Sequence, residues 1–139
     1  MPGVEVPEGF ERFDTASPFT EAAGPVYIRR DERGFVLGTR VTELHLNRGG
    51  RLHGGVAAML ADVVLSRNVI ESSGGARHVT ASLTVDYLAS ADLGDWVECS
   101  ATVTRSGRRA SFGTAELHSR GRLIAQASGV FLASPGQGD

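Results

Sequence analysis

A single cysteine, no surplus of positive charge and no long apolar run are the first bounds on this 139-residue chain. Cys99 alone cannot close an intramolecular disulfide, and the opening stretch MPGVEVPEGF has neither the basic nor the apolar region of a secretion leader, so a reducing cytoplasm is the expected setting. The longest apolar stretch falls well short of the ~20 residues that span a bilayer, which excludes a membrane-crossing helix. A formal charge of -2 and a pI near 6.1 leave no field to gather nucleic acid or an anionic membrane, so any anionic ligand has to be held by a local cluster. Internal repeats are missing too. What is present is ordinary globular material, with 41% hydrophobic and 22% charged residues. That suffices for one domain over 1–139, with 1–20 as an N-terminal cover and 134–139 as a flexible tail.

Hydrophobic periodicity sets the element order. Prolines punctuate the start, and two short helix-compatible pieces fall at 8–13 and 18–23. Residues 26–28 and 34–46 favour β structure around an Arg33-Gly34 turn. The only long helix candidate covers 54–70, and between Val56 and Leu65 its one polar residue is Asp62, so it reads as apolar nearly all round and buried. Its polar part, Ser66, Arg67 and Asn68, comes late, before Gly74-Gly75. From Val79 to Tyr87 the period becomes two, and further strands follow at 96–104, 109–119 and 122–132, with turns at Arg105-Ser106-Gly107-Arg108 and Arg120-Gly121. An antiparallel sheet of about five strands can hide an apolar helix only by curling around it, which leaves a sheet edge and helix surface that invite a second copy of the chain.

The stretch LNRGGRLHGGVAAMLAD, residues 46–62, carries the candidate chemistry. A helix that starts at Gly54-Gly55 exposes amides with no intrahelical acceptor and lets a ligand approach the backbone closely, which suits an oxyanion; a plain tight turn is the alternative. Asp62 is either a structurally paired carboxylate or a functional one, because a buried carboxylate without partners costs several kcal/mol. His45 and His53 lack a third ligand at sensible spacing, so no zinc site is expected. Cys99 lies mid-strand with no adjacent activating cation. The single RGGR at 48–51 is too short for an RNA-binding repeat.

Asn47-x5-His53-Gly54-Gly55-x6-Asp62, followed by VTASLTVDYLASA at 79–91, resembles the hotdog-fold acyl-CoA thioesterases, in particular the phenylacetyl-CoA thioesterase-like group. The similarity runs over about 17–132. It implies an α+β hotdog fold whose antiparallel sheet wraps one central helix, with two chains forming two active sites and pairs assembling further into tetramers. The implied substrate is a thioester of coenzyme A or of an acyl carrier protein, with no cofactor and no metal beyond it. Asp62 takes the place of the catalytic carboxylate, Gly54 that of the amide polarising the carbonyl, Asn47 and His53 those of supporting polar residues, and Thr80 that of a hydroxyl that helps place the water. Gly55, Leu88 and Ser90 are further candidate substrate contacts. The turn Arg105, Ser106, Gly107, Arg108 and Arg109 either holds the nucleotide phosphates, which arginine forks suit, or is simply solvated.

Given those roles, helix geometry adds a constraint. Eight residues at 1.5 Å each separate Gly54 from Asp62 by roughly 12 Å, too far for both to act on one carbonyl. An antiparallel second copy would set Asp62 of one chain against the Gly54 amide of the other. The acyl lining of Ala57, Ala58 and Val63 suits aryl or medium-chain groups equally. A non-catalytic acyl-CoA or carrier-protein binding module is the alternative reading, and enoyl-thioester hydration is disfavoured because no second acid lies near His53.

Overall fold

The computed structural model describes residues 5–134. In chain order the elements are β1 (Glu11–Arg12), α1 (Pro18–Ala23), β2 (Tyr27–Asp31), β3 (Gly34–Arg40), a 3-10 turn (Glu43–His45), α2 (Gly54–Ser72), β4 (His78–Tyr87), β5 (Trp96–Ser106), β6 (Ala110–Ser119) and β7 (Arg122–Ala133). The strands form one antiparallel sheet in the order β1-β2-β3-β5-β6-β7-β4. Helix α2 touches β3, β5, β6, β7 and β4, so strands three to seven in that order all reach the same helix and the sheet curls around it. The core is this contact: Leu60, Val64, Leu65 and Val69 from α2 are fully buried with Leu37, Val97, Cys99, Leu117 and Phe131 from the sheet.

Several expectations need correction. The sheet has seven strands rather than about five. The piece at 8–13 is no helix: Gly9, at φ 92°, turns the chain and residues 11–12 pair with β2. The strand expected over 34–46 stops at Arg40, and residues 43–45 form the 3-10 turn instead. There His45 is buried, its Nδ1 accepting from the Thr42 N–H at 3.0 Å while Nε2 donates to the Ala23 carbonyl, so both ring nitrogens are spent on local structure. Strand β5 continues through Arg105 and Ser106, which shortens the hairpin turn to 107–109. Helix α2 runs on to Ser72, and of the tail expected at 134–139 only Ser134 lies within the described residues; its N–H donates to the Arg77 carbonyl.

Helix α2 is also not buried all round. One stripe, including Leu60, Val64 and Asn68, faces the concave sheet, while Ala58, Asp62, Val63, Ser66, Arg67 and Ile70 form a half-exposed outer stripe. One concave face can cover only one side of a helix. Asn68 belongs to the inner stripe because it docks a hairpin. Its Oδ1 accepts from the Phe35 N–H at 3.0 Å, and its Nδ2 donates to the Phe35 and Val64 carbonyls at 3.1 and 2.8 Å. A Cβ on Gly34, at φ 126°, would collide with that Asn68 oxygen. Asn68→Leu therefore leaves two strand-end polar groups unpaired and lowers stability in denaturant unfolding by about 1–3 kcal/mol. A loss under a few tenths would contradict the clamp.

Candidate active site

Four backbone N–H groups open a helix without an intrahelical acceptor. At the start of α2 the His53 N–H donates to the His45 carbonyl at 2.8 Å, Gly55 donates to Nδ1 of His53 at 2.8 Å, and Val56 donates to the His53 carbonyl at 3.0 Å, the acceptor that Ala57 shares in the first regular helical bond. That leaves Gly54, whose N–H has no acceptor among the described residues. His53 is thus the N-cap, with its ring proton on Nε2, and the capping geometry singles out one amide at the positive end of a 19-residue helix.

A residue that periodicity read only as a strand position holds the same turn. The Tyr87 hydroxyl donates to the Gly54 carbonyl at 2.7 Å, and its ring packs so closely that a Cβ on Gly54 would lie 3.1 Å away. Asn47 is spent mainly on its own loop: Oδ1 accepts from Gly49 and Arg51 N–H groups at 2.9 and 3.1 Å. Asn47, Gly54, Tyr87 and Ser90 line one narrow cleft of about 230 Å³. Leu88 is exposed beside it, its N–H donating to the Ile124 carbonyl. Tyr87→Phe removes the brace on the Gly54 peptide, so kcat is expected to fall about 3–10-fold with KM and melting temperature little changed. An unchanged kcat would show that the hydroxyl positions nothing.

Asp62 lies elsewhere. It is half-buried on the outer stripe of α2, and its Oδ1 accepts from the Thr80 hydroxyl at 2.7 Å. No ion pair engages it among the described residues. The deep burial expected for this carboxylate is therefore absent within one chain. Asp62, Thr80 and Gly55 line a wider cleft of about 620 Å³, with Gly54 and Asn47 outside it.

A β-bulge brings Thr80 to Asp62. Strict alternation along β4 would group Val79 with Leu83 and Val85 and turn Thr80 away from the helix. The register against β7 shifts between Thr80 and Ser82, so Ala81 is an extra residue; Thr80 then lies opposite buried Phe131, and Val79 lies opposite exposed Leu132. The inserted residue inverts the parity of the strand, putting Thr80 on the helix-facing side and leaving Val79 54% exposed.

The remaining candidates do not join either cleft. Arg105, Ser106, Arg108 and Arg109 are exposed at the β5–β6 hairpin, where Ser72 at the C-terminal end of α2 reaches Ser106 at 3.5 Å. None of the three arginines has an ion pair among the described residues. Gly107 is half-buried, and a Cβ there would meet the Ala110 carbonyl at 2.5 Å. Cys99 is a core residue, and burial pushes its thiol up, away from the reactive thiolate.

Comparison with known proteins decides the family. The thioesterase superfamily profile matches residues 49–125, more than half of the chain, from the loop before α2 into β7. The chain belongs to the thioesterase superfamily. This thioesterase is 41% identical over 130 residues to a Pseudomonas aeruginosa protein whose name assigns it provisionally to the esterases, an alignment covering 92% of this chain and 97% of that one. It is 33% identical over 89 residues to human acyl-coenzyme A thioesterase 13, covering 63% of this chain and 64% of that enzyme. Among solved structures, zebrafish thioesterase superfamily member 2 superposes with a TM-score of 0.73 at 32% identity, over 78% of this chain and 81% of that one. A mutant of the phenylacetic acid degradation protein PaaI of Thermus thermophilus gives 0.76 at 27% identity, over 85% and 100%. The hotdog architecture expected from the motif is the architecture found, and the chain is a thioester hydrolase.

Proposed function

We propose that this thioesterase hydrolyses acyl-CoA thioesters at two equivalent sites, each built from two copies of the chain. The observation that carries the reading is the division of the site within one copy. The free Gly54 amide opens on one cleft and the Thr80-braced Asp62 on another, roughly 12 Å along the same helix. A carbonyl held by the amide of one chain meets the carboxylate of a second chain whose helix runs antiparallel. Strand β4 supports such a pairing: it is one edge of the sheet, ten residues long, without lysine or proline to guard it, and three of its five apolar positions, Val79, Ala81 and Tyr87, are exposed.

In this arrangement the Gly54 N–H donates to the carbonyl oxygen as negative charge develops on it. Asp62 of the other chain acts on the carbonyl carbon, as base toward water or as the attacking carboxylate, and Thr80 holds that carboxylate in one orientation. Coenzyme A leaves as thiol and the acyl group as free acid. The hairpin that carries the arginines at 105, 108 and 109 meets α2 at Ser72, about 15 Å beyond Asp62 along the helix, from where the arginines would meet the nucleotide phosphates. Dimers or dimers of dimers in a cytoplasmic setting complete the reading. The test is thiol release across short, medium, long and aryl acyl-CoA substrates, with the mass in solution measured in parallel. Release by a species of at least twice the chain mass agrees; binding without thiol release, or full activity as a monomer, contradicts it.

A further inference from the structure

The wider cleft has a second wall that the chemistry does not use. Besides Asp62, Val63 and Ile70 of α2, it is lined by Phe13, by Phe19 of α1 and by Leu83 of β4. Helix α1 is short but firmly fixed from behind. The Ser17 hydroxyl accepts from the Thr20 N–H at 3.4 Å, Pro18 opens the first turn, and Thr20 is buried against the body. The Phe13 N–H donates to the Val26 carbonyl at 2.9 Å, and Ala23 at the other end is tied to His45. With Thr20 turned inward, its neighbour Phe19 is left 68% exposed, among the most exposed large apolar side chains described. A rigidly mounted helix that holds a bare phenyl ring on the rim of an apolar cleft is a preformed surface for an apolar ligand.

We propose that Phe19, on the α1 side of the cleft that holds Asp62, is a specificity-determining residue: its ring covers the part of an apolar acyl tail that extends beyond the first two carbons. The assignment rests on the hydrolase reading of Asp62, because that carboxylate lies in the same cleft and its reach fixes where the carbonyl carbon sits. From there an apolar tail finds Val63, Ile70 and Leu83 on one side and the two phenyl rings on the other. The other charged residue lining the cleft, besides Asp62, is Arg67, whose guanidinium stacks 4.3 Å from the Phe35 ring centroid. A six-carbon or phenylacetyl tail offers the α1 wall several apolar carbons to cover, whereas an acetyl group offers a single methyl.

Covering an apolar tail with a phenyl ring changes selectivity by about 10–100-fold. The experiment compares kcat/KM for hexanoyl-CoA with kcat/KM for acetyl-CoA in the unaltered protein, Phe19→Ala and Phe19→Leu. The hexanoyl-to-acetyl ratio is expected to fall at least ~10-fold in the alanine variant and to recover most of the way in the leucine variant. An unchanged ratio in working enzyme overturns this proposal alone. Equal losses for both esters also overturn it, since they report only a looser fold. No thiol release from either ester by the unaltered protein overturns the hydrolase reading and this assignment with it.

Discussion

Asp62→Asn is expected to lower kcat for thiol release by about 10²–10⁴-fold while leaving the melting temperature within a few degrees of the parent. The size follows from what the carboxylate supplies. An amide of the same shape can neither take a proton from water nor attack a carbonyl. The stability follows from the local geometry. Asparagine retains Oδ1, so the Thr80 hydroxyl keeps the acceptor it now holds at 2.7 Å, and the residue sits on the half-exposed outer stripe of α2, outside the core. Stopped or slowed chemistry in a folded protein is checked by thiol release and thermal denaturation on one preparation. Full rate in that variant would remove Asp62 from the reaction.

Gly54→Pro is expected to cost about 10²–10³ in kcat, the usual penalty for one missing oxyanion donor. Proline is the informative replacement because it deletes the amide hydrogen and little else. Position 54 is the first helical residue, where proline is tolerated, and His53 already has the extended conformation that a following proline requires, at φ -66° and ψ 132°. The added ring carbons would press on Tyr87, whose ring lies 3.1 Å from a Cβ at this position and can give by a few tenths of an ångström because it is half solvent-exposed. Gly54→Ala is the control: it makes the same contact but keeps the N–H, so its loss should be far smaller. Equal losses in the two variants would show that crowding against Tyr87, and not the missing donor, slows the reaction.

Local chemistry made part of this architecture readable. Ser17-Pro18 marks the start of α1 because a hydroxyl cap and a residue without an N–H belong at a helix N-terminus, and His53-Gly54-Gly55 marks the start of α2 for a related reason. The alternation of β5, β6 and β7 shows one face against the helix. What stayed hidden depends on packing between distant segments. A two-residue strand such as β1 has no period to detect. The outer stripe of α2 mixes Asp62, Ser66 and Arg67 with Ala58, Val63 and Ile70, and the inner one carries Asn68, so the contrast between the two sides was too weak for the sequence to show which one the sheet would cover. The bulge at Ala81 breaks no propensity rule, yet it decides that Thr80 and not Val79 meets the helix. Tyr87 looked like one more apolar strand position, and only the fold brings its hydroxyl across 33 residues to Gly54.

Mixing the two inactive variants tests the shared site most directly. If each site takes its amide from one chain and its carboxylate from the other, a dimer of Asp62→Asn with Gly54→Pro has one site with both defects and one with neither. After joint unfolding and refolding at equal amounts, about half the dimers are mixed, so about a quarter of the parental activity returns. A site confined to one subunit predicts that the mixture stays as inactive as its components, and that result would contradict the account.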